Sequence, residues 1–449
     1  MSIPAGQTPN PPQEATSHEM RQRAREMFEY ALAECSIPKA FSRHLQYQRG
    51  SLRIGHEMYD LGACTQILVV AMGKAAHAMA EMLATITEGG LVGIVACPVL
   101  PTAPVFGFRY FQGGHPLPNA GSLQAGDAIL AMLSTPSERA LVIYCISGGA
   151  SAIAEKPIRH EISLEDVVQT YKALVHSGAP IAEINAIRKH LSSLKGGRLA
   201  AAASPAQQAS IFVSDVPEAS LDALASGPTI PDSTTVSDCH AIADCYNLLG
   251  QFPDKVRRLF TRDLLQETPK AGDPIFARSH YTTILSNAAA QKEAVERAIL
   301  GGFAVELDNS CDDWDYSEAA DHLLRKLREL RRGVSRACLI SGGEVTVKVI
   351  GKCGVGGRNQ HFALYCAQKI AGENITVLSA GTDGIDGNSP AAGAVVDGTT
   401  VTRARERGFD PASALAQFNA FPLFAELGDA IVTGPTGNNV RDLRILLAY

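Results

Sequence analysis

Apolar residues fall into two alternating patterns along this chain. Short continuous runs rich in branched side chains predict strands buried on both faces: ILVVAM from Ile67, LVGIVACPV from Leu91, ALVIYCIS from Ala140 and ASIFVSDV from Ala209. Longer stretches with helical spacing predict the helices that cover them. Met27, Phe28, Ala31 and Leu32, with charges between, mark one such helix from His18 to about Leu45. A longer helical span, Ile162 to Ala203, is interrupted at Gly178-Ala179-Pro180. After Pro231 the pattern weakens, and the polar, helical stretch from Ser233 to Gly272 reads as a connection. A second series follows, with HYTTILS from His280, a helix Asn287–Leu300, GGFAVEL, a helix Tyr316–Arg332, and the run ACLISGGEVTVKVIG. It continues through a helix Asn359–Ala371, ITVLSAGTDGIDG and a closing AIVTGPTGNNVRDLRILLAY, with no tandem repeat. The alternation predicts an α/β fold of two α/β/α layered, Rossmann-like domains with mainly parallel sheets and an interdomain cleft. The expected limits are a disordered tail at 1–17 and domains at 18–260 and 275–449.

Composition narrows the classes. Hydrophobic residues make up 46% and charged residues 19%, which excludes a disordered chain. Lys and Arg number 40 against 46 Asp and Glu, without the clustered basic charge of a nucleic-acid surface. No apolar stretch is long enough to span a membrane, and the polar, Pro-rich start MSIPAGQTPNPPQEATSHEM lacks the apolar segment of a signal peptide. The 10 cysteines form no CxxC pair and sit mostly in apolar runs. Buried thiols in a reducing cytoplasm are expected, and no zinc site.

The chemistry-bearing residues gather where predicted strands end. Ser147-Gly148-Gly149-Ala150-Ser151 follows one strand, and its glycines would let backbone N–H groups approach a phosphate. Ser341-Gly342-Gly343-Glu344 is similar, but the alternating VTVKVI after it predicts a turn between two strands. Either Gly-Gly turn is as readily structural. No GxxxxGK[ST] loop and no GxGxxG after a strand is present, which excludes a P-loop and disfavours a dinucleotide enzyme. Lys74 opens a helix directly after ILVVAM, where its charge opposes the helix dipole and would be offset by an anionic partner. Arg358 precedes a helix for which Asn359 is the expected N-cap, a place suited to a forked grip on carboxylate or phosphate. Asp215 ends a strand, and Asp383 and Asp386 lie in GTDGIDG; such carboxylates can hold Mg²⁺ or accept a hydroxyl proton. GTDGIDG is equally a pair of tight Asp-Gly turns. His115 reads as local turn packing. Asn185, Arg188, Lys189 and Lys195 share one broad helical face, a solvated one by default, in a segment leading to the Asp215 strand.

Together these motifs resemble the glycerate 2-kinases (class II glycerate kinases), whose C-terminal part is the MOFRL domain. The likeness runs from about His18 to Leu447, on MGKAAHAMA, GGHPLPNAGS, ISGGASA, INAIRKHLSSLKGGRLA, SDVPEASLDALASGPTIPDST, SGGEVTV, GGRNQHFAL, AGTDGIDGNSPAAGAVV and TGPTGNNVRDL. The resemblance implies ATP-dependent phosphorylation of D-glycerate at its 2-hydroxyl, with a divalent cation such as Mg²⁺. It implies catalytic roles for Lys74, Arg358 and Asp215, and nucleotide or substrate contacts from Ser147, Gly148, Gly149, Ser151, Asn185, Lys189, Gly342, Gly343, Glu344, Asn359, Thr382 and Asp383. Asp215, Asp383 and Asp386 are the metal ligands it implies. Departures from the family pattern are Pro217-Glu218-Ala219 after SDV, where a Gly-Asp pair is usual, His361 where Glu is usual, Ser147-Gly148-Gly149-Ala150-Ser151 where SGGGSA is commoner, and Thr436-Gly437-Asn438-Asn439 where TGTN is commoner; Glu218 could replace the missing carboxylate. None touches Lys74, Asp215 or Arg358. A reductase acting on hydroxypyruvate, or a non-catalytic glycerate or nucleotide binder, are the rival readings; the first should carry a dinucleotide fingerprint. Oligomeric state is left open, a homo-oligomer included.

Overall fold

A computed structural model describes residues 11–349 and 351–449. The chain forms two compact units, Ile37–Leu285 and a discontinuous one that joins Ser286–Tyr449 to the N-terminal helix Pro11–Glu34.

The contiguous unit begins with a small antiparallel sheet of β1 (Leu45–Gln48), β2 (Ser51–Ile54) and β3 (Glu57–Asp60). Its main sheet comprises β4 (Gln66–Met72), β5 (Val92–Cys97), β6 (Phe108–Gln112), β7 (Ala140–Ser147), β8 (Gln207–Val213) and β9 (Ser279–Leu285). All pairs are parallel, in the order β6-β5-β4-β7-β8-β9. This is the doubly wound order, and its switch point lies between β4 and β7, where loops diverge to opposite sides and leave a crevice. Every residue of β7 is buried, as a central parallel strand covered on both faces must be. One face packs with Ala125, Ile129, Ile153, Leu199 and Ala203; the helices Ile37–His44 and Ala76–Ile86 also lie against sheet strands.

Two expectations fail here. HYTTILS does not open the second series: as β9 it pairs with β8 and closes the first sheet. The stretch after Ser233 is not a connection either. Its helices Val236–Cys245 and Asp254–Thr261 share a buried cluster, including Cys239, Leu248 and Phe260, with Leu174, Ile187 and neighbours. Polar composition concealed apolar faces that fill this satellite core.

The second unit's sheet comprises β10 (Ala304–Leu307), β11 (Ala337–Gly342), β12 (Ile375–Gly381), β13 (Gly393–Asp397), β14 (Ala430–Ile431) and β15 (Asp442–Ala448), ordered β10-β11-β15-β12-β13-β14. The last strand enters the middle, antiparallel to both neighbours, and only β10–β11 is parallel. The parallel expectation therefore holds for the first sheet and not for the second. Every residue of β15, Asp442–Ala448, is buried because both faces are covered. One face meets Met20, Met27 and Phe28 of the N-terminal helix, so the span from His18 to Leu45 divides: this helix covers the second sheet, and a separate helix Ile37–His44 serves the first. The domain limits expected at 18–260 and 275–449 shift accordingly. Of the expected tail, residues 1–10 lie outside the described residues and Pro11 begins the helix. Of VTVKVI, the described residues 345–349 form no strand, only a bridge from Thr346 to Asp315, and residue 350 lies outside the described residues.

Candidate active site

At the switch point of the first sheet, the turns after β4 and β7 are stitched together. Lys74 N–H donates to Gly148 O at 2.9 Å, and Ala75 N–H to Ser147 Oγ at 3.0 Å. These bonds pin the backbone of Lys74 while its side chain stays exposed and, among the described residues, without an ion pair. A third strand end joins them. A Cβ added to Gly148 would lie 2.0 Å from Asp215 Oδ2, so the carboxylate rests on bare backbone and only glycine permits the approach. The same construction at Gly149 would meet His115 Nδ1 at 3.3 Å and Lys74 Cγ at 3.4 Å. Lys74, Asp215 and His115 thus surround one glycine turn. Partial burial, and then the charges of Lys74 and Arg188, push the His115 imidazole below its usual range. His115 and Arg188 therefore belong to this cluster, although turn packing and a solvated face were expected for them.

Beneath it, Arg188 lies 4.3 Å above the Tyr171 ring, and the Tyr171 hydroxyl and Lys195 ammonium both bond to buried Glu155. Burial drives Lys195 down to about 8 against the pull of Glu155. Ser151 Oγ meets Ser226 Oγ at 2.9 Å, which donates to Asn185 Oδ1 at 3.2 Å. Lys189, expected as a ligand contact, is buried and paired with Asp222 at 2.8 Å and Asp232 at 3.1 Å.

In the second unit the centre is Arg358. Its Nε and Nη2 donate to Asp442 Oδ2 and Oδ1 at 2.6 and 3.0 Å, and Nη2 pairs with Glu344 Oε1 at 2.8 Å. Burial opposes its charge, but these two carboxylates outweigh burial and hold the guanidinium well above its usual range. Burial and the negative charge of Asp442 push Glu344 upward. Asp383 Oδ1 and Asp442 Oδ1 both flank the position a Gly381 Cβ would take, at 3.2 and 3.4 Å. Asp442 opens the buried strand β15; its one signal was a charged pair, Arg441-Asp442, leading into an apolar run.

Several expected ligand contacts are occupied by the fold itself. The N–H groups of Gly342, Gly343 and Glu344 donate to Asn309, Asn287 and Asp312 side chains, so this turn does not present them to a phosphate. The helix after GGRN is capped by Gly357 with Arg358 as its first residue, not by Asn359. Asp386, expected as a metal ligand, accepts from the N–H groups of Asn359 and Gln360 at 3.0 and 2.9 Å and closes that helix start. Burial nevertheless raises its carboxyl to about 6. Asn359 is itself buried, accepting from Ser379 Oγ at 2.6 Å. Thr382 Oγ1 donates to Arg441 O at 2.7 Å and accepts from Val440 N–H at 2.8 Å, which ties strand ends together. Among the described residues no group of three or more His, Cys, Asp or Glu side chains is placed to hold a metal ion, and no helix is long and apolar enough to cross a membrane.

Beside Arg358 opens a cavity of about 520 Å³, lined by Val345, Val347, Val349, Cys353, His361, Phe418 and the backbone of Gly354, Gly356 and Gly357 among others. The His361 and Phe418 rings stack 5.1 Å apart at 17°. Burial pushes His361 down to about 4, so it is neutral at pH 7.

A doubly wound sheet with an exposed lysine at its switch point, and a second α/β unit with a guanidinium held between carboxylates, define a two-unit α/β protein. The chain belongs to the glycerate 2-kinase family. Residues 23–261 match a family described as a domain of unknown function, DUF4147, and residues 337–442 match the MOFRL family. It is 35% identical to the D-glycerate 2-kinase of Thermotoga maritima, over 85% of this chain and 90% of the relative. A protein of Agrobacterium vitis with the provisional name hydroxypyruvate reductase is 34% identical, over 85% and 86%. The crystal structure of the Thermotoga maritima glycerate kinase superposes with a TM-score of 0.82 at 31% identity, covering 96% of this chain and all of that one.

Proposed function

We propose that this chain phosphorylates D-glycerate at its 2-hydroxyl with ATP, giving 2-phosphoglycerate and ADP. The observation that carries the chemistry is Lys74, an exposed cation without an ion pair among the described residues, fixed by its backbone beside Asp215 at a sheet switch point. Phosphoryl transfer asks a protein mainly for charge neutralisation and alignment. Lys74 supplies positive charge to the transferring phosphoryl group or to the glycerate carboxylate. Asp215 is placed to accept the proton of the attacking hydroxyl. Arg358 presents a planar fork suited to bidentate oxyanion binding, set in orientation by Asp442 and Glu344. A Mg²⁺ ion, which is held by one or two carboxylates together with phosphate oxygens, would take Asp215 or Asp383 and neutralise phosphate charge. The reductase reading lacks its fingerprint, since the turn after β4 reads MGKAAHA rather than GxGxxG.

The test is a coupled assay with ATP, Mg²⁺ and D-glycerate, the product isomer identified by NMR. Lys74→Ala and Arg358→Lys are each expected to lower kcat by about 10²–10³-fold, the usual cost of removing a transition-state charge contact, with circular dichroism unchanged. Full activity in the folded Lys74→Ala variant would remove that residue from the chemistry. NADH oxidation with hydroxypyruvate would favour the reductase.

A further inference from the structure

We propose that the cavity beside Arg358 receives the aromatic base and sugar of the phosphoryl donor, so that the second unit carries the nucleoside site. This rests on the kinase reading and adds to it where the donor's uncharged end is held.

Several observations converge. At about 520 Å³ the cavity falls in the range of small-molecule sites and far exceeds a three-carbon acid. Its wall is unsuited to a second anion. Val345, Val347 and Val349 line it together with Phe418 and His361, and only Arg358 among the lining residues carries a charge. The polar groups around it are already committed. Asn388 Oδ1 accepts from Gly356 N–H and its Nδ2 donates to Gly354 O. Asn419 Oδ1 accepts from Val355 N–H, and Thr346 Oγ1 donates to Trp314 O. What remains is the Phe418 ring stacked on the neutral His361 imidazole and branched aliphatic side chains, a surface that favours a flat, uncharged ring. Arg358 joins this wall to the carboxylate cluster, so one molecule with a flat apolar body and an anionic tail satisfies both features. A free carboxylate substrate satisfies only the second.

Cys353 lines the cavity and is exposed, which gives a readout independent of turnover. The protein is alkylated with iodoacetamide and each cysteine mapped by mass spectrometry, with and without ADP or D-glycerate. ADP is expected to slow Cys353 at least fivefold, D-glycerate to leave it unchanged, and exposed Cys245 of the other unit to serve as control. In calorimetric titrations, Phe418→Ala and the cavity-filling Val349→Trp are each expected to weaken ADP at least tenfold, with the KM for D-glycerate within twofold. Val349 is half exposed, so its variant keeps the fold available if Phe418→Ala does not fold. Protection of Cys353 by D-glycerate instead of ADP, or unchanged ADP affinity in the folded Val349→Trp variant, overturns the proposal. If ADP protects Cys353 but glycerate is not phosphorylated, the nucleoside site stands and the kinase reading falls; if glycerate is phosphorylated and neither variant affects ADP, the reverse holds.

Discussion

A buried histidine reports on its surroundings through its proton. His361 lies between Tyr316 and Phe418, 4% exposed, and burial lowers it to about 4. Between about pH 6.5 and 4 the unfolded chain binds this proton and the folded chain does not, so stability must fall as pH drops through that window and level off below it. Asp386 works in the opposite sense: its folded carboxyl is raised to about 6, so its contribution is lost as pH rises from about 4 to 6. His44, His115 and His190, lowered by burial, act in the sense of His361, and Glu344 and Asp429, raised by burial, in that of Asp386, so the wild-type profile sums all of them. His361→Gln removes the first contribution alone. The variant is expected to lose less stability than wild type on going from pH 6.5 to 4, by up to about 3 kcal/mol; denaturant unfolding at a series of pH values measures it, and parallel profiles would show that His361 is charged in the folded state. At this scale the sequence was readable where a residue was chemically out of place. Lys74 against a helix dipole and Asp215 at the end of an apolar strand both stood out. The partners of Lys189, Asn359 and Thr382, which are Asp232, Ser379 and Arg441, were not legible, because only the fold brings them together.

At the scale of elements, local pattern and distant pairing divide the credit. Strands and helices follow from periodicity, which is local. That β9 closes the first sheet and β15 enters the second sheet's centre depends on partners far along the chain, for which an apolar run carries no address. The convergence of the turns after β4, β7 and β8 was legible only as three separate oddities. Gly148 joins them, and its substitution tests the arrangement. Its φ is not positive, so alanine suits the backbone and the strain falls on Asp215, whose Oδ2 would meet the new Cβ at 2.0 Å. Gly148→Ala is expected to lower kcat/KM by about 10²-fold, the scale of loss from misplacing a catalytic group by about an ångström, with a small change in Tm. In an Asp215→Ala background the same substitution should cost little more. An additive loss in the double variant would show that Gly148 acts other than through Asp215.

Over the whole molecule, the N-terminal helix is counted with the residues furthest from it in sequence. Met20, Ala24, Met27, Phe28 and Ala31 pack on β12, β13 and β15, and Arg21 pairs with Asp397 at a β13 end that Arg403 and Asp429 also serve. Nothing local announces this, since an amphipathic helix records that it has a buried face and not which sheet lies under it. The assignment carries an energetic consequence. Phe28 is fully buried in the second sheet's cluster, and truncating such a side chain costs about 3–5 kcal/mol through lost transfer energy and the cavity left behind. In the intact chain, Phe28→Ala should therefore weaken hydrogen-exchange protection along β12, β13 and β15 while β4, β7 and β8 keep theirs. If the helix instead supported the first sheet, as its position before β1 would imply, protection would be lost in β4 and β7, and the discontinuous unit would have to be redrawn as Ser286–Tyr449 alone.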